Sequence, residues 1–85
     1  MKNRLHPFRK KWGQNFIADP NLLDRIVRTL DLKKNNAILE IGPGDGLLTK
    51  KIFPKVKEMV AIEIDPLLIK HLSIRSDLKG LKIIH

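Results

Sequence analysis

The spacing of apolar residues changes period several times along the chain, and each change marks an element. Leu22, Leu23, Ile26, Val27 and Leu30 fall on one stripe of a helical repeat, with Asp24, Arg25 and Arg28 opposite. Asp19-Pro20 stands just ahead of them. An aspartate there can cap the exposed amides, and proline, with no N–H to lose, fits the first helical position. Lys33-Lys34-Asn35-Asn36 is a polar turn. Residues 37–41 (AILEI) are a short apolar run bounded by turn residues, which predicts a buried strand. The run Gly42-Pro43-Gly44-Asp45-Gly46 predicts a loop. A short helix is expected over 47–53, ended by Pro54, which has no N–H and crowds the preceding turn. Residues 59–64 predict a second buried strand. Asp65-Pro66 repeats the cap-and-proline start, and Leu67, Leu68, Ile69 and Leu72 make the next apolar face. Gly80 closes that unit, and a third strand is expected over 81–84.

Strands that alternate with helices predict right-handed crossovers and a parallel sheet covered on both faces. Such sheets usually have about six strands, and a chain of 85 residues buries little core. The expectation is an α/β, Rossmann-like fold of which only the first three strands and their helices are present. There are no internal repeats, linkers or low-complexity tracts.

Composition narrows the class. Hydrophobic residues are 42% of the chain, too many for intrinsic disorder. No apolar run approaches the roughly 18 residues of a membrane span, and the N-terminus lacks a signal-peptide core. With no cysteine there is neither a disulfide framework nor a thiolate metal site. His6, His71 and His85 lack ligand spacing, so no metal is expected. A soluble protein of the reducing cytoplasm fits all of this.

Charge adds a partner class. Lysine and arginine number 17 against 9 acids, a net charge of +8. Lys2, Arg4, Arg9, Lys10 and Lys11 lie in the first dozen residues with no acid among them, interleaved with Leu5, Phe8 and Trp12. Such an arm can neutralise phosphates and stack on unpaired bases. It can equally be a solvated chain end.

The glycine loop between a strand and a helix carries the most specific chemistry. Glycine lets the backbone turn sharply and approach a ligand with no side chain between. Glu63 stands at the end of the second predicted strand, about twenty residues on, where a carboxylate can accept both hydroxyls of a ribose. The pair points to an adenosine-containing cofactor. A dinucleotide fingerprint would place its third glycine where Leu47 stands; here it comes one residue early, at Gly46. Asp45 puts a carboxylate in the loop, which suits a methionine ammonium better than a pyrophosphate. Glu40 adds negative charge at the strand end, or else caps the loop's own amides. These features favour S-adenosylmethionine over NAD.

Four segments together resemble the ribosomal RNA adenine dimethyltransferase family: Lys10-Lys11-Trp12-Gly13-Gln14-Asn15-Phe16, Asp19-Pro20, Ile38-Leu39-Glu40-Ile41-Gly42-Pro43-Gly44 and Ala61-Ile62-Glu63-Ile64-Asp65. The resemblance runs from about Arg4 to the C-terminus, and its most distinctive part is the K-x-x-G-Q-N-F segment. It implies a class I S-adenosylmethionine-dependent methyltransferase fold. Residues 1–18 would be a basic segment that closes over the cofactor and contacts RNA through Arg9, Lys10 and Lys11, and 19–85 the N-terminal part of the catalytic domain. It also implies that Asn15 and the backbone of Ile17 close over the cofactor and that Gly42 and Gly44 pass beneath its methionine part. Glu63 would hold the ribose and Ile64 lie near the adenine; Gln14 would support the segment or face the substrate. Without the resemblance, Asn15 could cap a turn, Phe16 anchor packing, and Asp65 cap the next helix.

The implied reaction methylates the exocyclic amines of two adjacent adenines near the 3' end of small-subunit rRNA during ribosome biogenesis. A full-length monomer acting on rRNA or an immature small subunit is expected. The family holds the target amine with an N-[LI]-P-[YF] motif, which does not occur in these residues, nor does the acid expected after the third strand. About half the cofactor site and no catalytic residue are therefore expected here. Three other readings stay open: a large-subunit rRNA adenine methyltransferase, a non-catalytic RNA-binding assembly factor with the same fold, and a nicotinamide-dependent dehydrogenase.

Overall fold

A computed structural model describes residues 18–85. The readings placed on Arg9, Lys10, Lys11, Gln14, Asn15, Phe16 and Ile17 lie outside the described residues.

Helix α1 (Pro20–Leu30) starts as its sequence dictates. The Asp19 carboxylate accepts the Asn21 N–H at 2.9 Å, and Pro20 fills the first turn. The helix stops where Asp31 turns left-handed at φ 51° and returns its N–H to the Arg28 carbonyl. Of the expected stripe, Leu23 is buried, Ile26 and Val27 are half-buried, and Leu22 and Leu30 stay exposed.

Strands β1 (Ala37–Ile41), β2 (Glu58–Ile62) and β3 (Lys82–Ile84) form one parallel sheet in the order β1-β2-β3. Ile38 pairs with Met59, and Glu40 with Ala61, which in turn pairs with Ile83. Both crossovers step the same way across the sheet, and the right-handedness general to such connections puts both connecting helices, α2 (Leu47–Ile52) and α3 (Pro66–Ser73), on one face. Burial agrees, because successive side chains point to opposite faces. Met59 and Ala61 are buried and Ile38, Glu40 and Ile83 half-buried, whereas Leu39, Ile41 and Ile84 on the other face are exposed.

Two expectations are corrected here. Among the described residues the sheet is covered on one face, not both, and β1 alternates between exposed and half-buried instead of being buried. The cause is topological. The stepwise order sends every crossover helix to the same side, so a continuous apolar run no longer means two covered faces. The core lies between sheet and helices and consists of Leu23, Ile52, Met59, Ala61, Leu68, Leu72 and Leu78. Helix α1 packs on α2, and Lys51 bridges to Asp24 across their exposed edge at 2.8 Å.

Element ends differ in small ways with clear reasons. Helix α2 stops at Ile52 and tightens into a 3-10 turn over Phe53–Lys55 that contains Pro54. Proline is accommodated there because the first turn of a helix needs no N–H from it. Strand β2 ends at Ile62, not 64, because the Glu63 carboxylate folds onto the Asp65 N–H at 2.9 Å and bends the chain out of the sheet. The Leu81 N–H closes a turn on the Leu78 carbonyl, so β3 starts at Lys82.

Candidate functional site

The C-terminal ends of parallel strands converge on one edge, where ligands of such sheets bind. Backbone bonds stitch this edge together. The Gly42 N–H donates to the Ile62 carbonyl at 2.8 Å, and the Glu63 N–H to the Ile84 carbonyl at 2.9 Å. Gly42, Gly44, Glu63 and Ile64, all singled out by sequence, are thereby brought together.

The loop needs its glycines for different reasons. Gly42, Gly44 and Gly46 have φ of +72°, +62° and +85°, a region that side chains with a Cβ rarely adopt. At Gly42 an added Cβ would meet nothing within 4 Å. At Gly46 it would lie 2.8 Å from both Arg75 Nη1 and Leu72 Cδ2. Gly42 therefore faces open space at the strand ends, while Gly46 is a packing glycine. The Gly46 N–H donates to the Pro43 carbonyl at 3.0 Å, closing the turn, and its carbonyl accepts the Lys50 N–H to open α2.

Charged side chains hold this loop from outside. Glu63 is buried, at 1% exposure. One carboxylate oxygen accepts the Gly44 N–H at 3.4 Å, the other the Asp65 N–H at 2.9 Å. Each of the two oxygens therefore holds a backbone amide, one on either side of the strand end. On the far shoulder, Arg75 donates through Nη1 to the Asp45 carbonyl at 2.5 Å. Its Nε and Nη2 grip the Asp77 carboxylate at 3.0 and 2.6 Å. That hydrogen-bonded guanidinium holds the Asp77 carboxyl below the usual aspartate range.

Glu40 stands at the strand end and does not cap the loop. Its carboxylate accepts the hydroxyl of buried Thr49 on α2 at 2.6 Å, not the loop amides. Burial pushes the Glu40 carboxyl up, and the Thr49 bond offsets part of that rise. Asp65 is the helix cap its sequence suggests, accepting the Leu67 N–H at 2.9 Å through Oδ1. Its side chain is fully buried, and Oδ2 has no hydrogen-bond partner. Ile64 presents an exposed side chain beside Glu63, and its carbonyl accepts from His85 Nε2 at 3.0 Å.

Arg75 and Thr49 are the site-supporting residues that sequence reading missed. Arg75 sits in a polar turn with no periodic signal, and its pairing with Asp77 two residues on was the single available hint. Among the described residues no group of His, Asp or Glu could hold a metal ion, and no helix is long and apolar enough to cross a membrane.

Comparison with known proteins bears on this edge. The family model for ribosomal RNA adenine dimethylase matches residues 5–85. The ribosomal RNA small subunit methyltransferase A of Mycoplasma mycoides is 47% identical over 76 residues, covering 89% of this chain and 29% of that protein. Its counterpart in Mesoplasma florum is 54% identical over 57 residues, covering 67% of this chain and 21% of the relative. Among solved structures, a dimethyladenosine transferase from Plasmodium falciparum superposes with a TM-score of 0.74 at 32% identity, over 81% of this chain and 27% of that one. The 23S rRNA methyltransferase ErmE superposes with a TM-score of 0.70 at 36% identity, over 82% and 29%. The chain thus spans less than a third of the length of each of these relatives, and the fold is that of the N-terminal part of a Rossmann-like methyltransferase.

Proposed function

Because the chain belongs to the ribosomal RNA adenine dimethylase family, we propose that the whole protein methylates adenines of ribosomal RNA using S-adenosylmethionine. The described residues form part of the cofactor site. The observation that carries this reading is the edge geometry: an open, left-handed Gly42 lies next to Gly44, whose N–H is taken by a buried Glu63.

The residues fit the cofactor in three respects. Gly42 leaves room where a Cβ would otherwise stand, so the backbone can run close beneath the methionine part, with Gly44 behind it. Glu63 is an acceptor already oriented by two amides, suited to ribose hydroxyls. Ile64 offers exposed apolar surface next to it for the adenine ring. Asn15 and Ile17 are assigned to closing over the cofactor, and Arg9, Lys10 and Lys11 to RNA phosphates.

S-adenosylmethionine, when bound, supplies an electrophilic methyl group on a sulfonium. The adenine amine is a weak nucleophile because its lone pair is delocalised into the ring. Its activation calls for a positioned carboxamide and carbonyl, and the described residues are assigned no part in that step. A small-subunit substrate is supported by the names of the relatives, each a ribosomal RNA small subunit methyltransferase A; methylation of two adjacent adenines, twice each, is the finer form of the same reading. Likeness to ErmE supports a large-subunit substrate as the second reading.

Calorimetric titration of the intact protein with S-adenosylmethionine and, separately, NAD tests the cofactor. Binding of the first alone is expected, and binding of neither would leave a non-catalytic RNA-binding factor. Methyl transfer to immature small but not large subunits is the expected substrate result. Glu63→Ala should weaken S-adenosylmethionine far more than RNA; equal losses of both would remove its ribose role.

A further inference from the structure

The loop segment from Gly44 to Asp45 is gripped at its two ends by charges of opposite sign, each on the backbone group it suits. Carboxylate Glu63 takes the Gly44 N–H, and guanidinium Arg75 takes the Asp45 carbonyl. We propose that Arg75, locked by Asp77, is a positioning residue that holds the glycine loop in its cofactor-binding shape. The proposal rests on the methyltransferase reading above and adds to it a residue that acts on the loop and is given no contact with the cofactor itself.

Four observations support it. Arg75 reaches the loop from 30 positions along the chain, so the contact is tertiary and does not form with the local turn. The guanidinium is fixed on three sides: two bonds to Asp77 set its plane, and the third points at Asp45. A two-pronged carboxylate grip of this kind gives geometric specificity that a lysine could not reproduce. The side chain is 20% exposed, so the bond to Asp45 is shielded from competing water. Finally, Gly46 can approach the guanidinium only because it has no Cβ. The Asp77 carboxylate also cancels a positive charge that would otherwise stand near a loop meant for a cationic sulfonium and ammonium. Ordering the loop before the ligand arrives removes an ordering cost from binding.

The test is calorimetric titration of the intact protein with S-adenosylmethionine, comparing wild type with Arg75→Ala, Asp77→Ala and the double variant. Arg75→Met, which keeps the apolar stem, carries the measurement if Arg75→Ala does not fold. Loss of the guanidinium should weaken cofactor binding by about 10- to 100-fold, the range of a hydrogen bond to a charged group, and leave RNA affinity unchanged. Asp77→Ala should lose less, and adding it to Arg75→Ala should cost nothing more, because Asp77 acts only through Arg75. Millimolar guanidinium should restore part of the affinity of Arg75→Ala and do nothing for wild type. Wild-type affinity in a folded Arg75 variant, or additive losses in the double variant, would overturn the strap. A wild type that binds no S-adenosylmethionine would instead overturn the methyltransferase reading, and the strap with it.

Discussion

Alanine at Gly46 and at Gly42 should fail for different reasons, and the contrast measures what each glycine is for. Both positions have φ well inside the left-handed region, +85° and +72°. Placing a Cβ there costs about 1–2 kcal/mol at either site. At Gly46 a second cost follows, because the new methyl would lie 2.8 Å from Leu72 Cδ2 and Arg75 Nη1 and 3.5 Å from Leu78 Cδ1. The near atoms end flexible side chains, but Leu72 is 1% exposed and Arg75 is held by three hydrogen bonds, so neither gives way freely. Overpacking of this kind adds about 1–3 kcal/mol. Gly46→Ala should therefore lose roughly 2–5 kcal/mol, a large share of a typical stability of about 5–15 kcal/mol. Gly42→Ala should lose only the backbone part. Urea melts of the two intact variants measure the difference, and titration with S-adenosylmethionine follows on Gly42→Ala. That variant should lose no more than that backbone cost yet bind the cofactor at least tenfold more weakly, about 1.4 kcal/mol, because its methyl enters the space the ligand needs. Equal destabilisation of the two variants would refute the claim that only Gly46 is packed. Unchanged cofactor affinity in Gly42→Ala would refute the placement of the ligand against that loop.

Other outcomes follow from the same geometry. The raised Glu40 carboxyl means that the folded state holds a proton the unfolded chain has given up; stability should fall as pH rises from about 4, the ordinary glutamate value. Thermal melts of Glu40→Gln across that range should be flatter than wild type, and parallel curves would remove Glu40 as the cause. Asp65→Ala should cost about 1 kcal/mol for the lost cap. Asp65→Ser should cost less, since it keeps a capping oxygen and removes the buried, unpartnered Oδ2; a Ser variant as unstable as Ala in chemical denaturation would argue that Oδ2 has a role of its own. Thr49→Val should cost about 1–3 kcal/mol in the same assay, because it leaves the half-buried Glu40 carboxylate without the hydroxyl that now serves it.

Local chemistry was legible in the sequence and long-range chemistry was not. Asp19-Pro20 and Asp65-Pro66 start helices with caps at 2.9 Å because capping is decided within two residues of the aspartate. The strand–loop–helix order and the placing of Gly42, Gly44 and Glu63 on one edge follow from parallel topology alone. Burial differs for β1 because the wholly apolar face of AILEI, Ala37, Leu39 and Ile41, is the one no described helix covers, and the pattern holds no record of which face a helix takes. The end of β2 was misjudged because Ile64 continues the apolar run, while the bend comes from a polar event, Glu63 folding onto the Asp65 amide.

The loop shows why the supporting residues escaped. A glycine-rich turn has few side chains with which to hold itself, so its shape must be imposed from elsewhere in the fold. Here the two grips come from 19 and 30 positions away, one from the end of β2 and one from the turn after α3. Each belongs to a different crossover unit, so the loop is fixed only when β2 has paired with β1 and the end of α3 has brought Leu72 and Arg75 against Gly46. Glu63 then acts twice: it sets the loop through Gly44 and faces the ligand in the proposed ribose role. A substitution there should damage both, whereas one at Arg75 should damage only the first. A smaller loss of cofactor affinity in Arg75→Met than in Glu63→Ala would follow from that difference, and the reverse order would mean that Glu63 only shapes the loop.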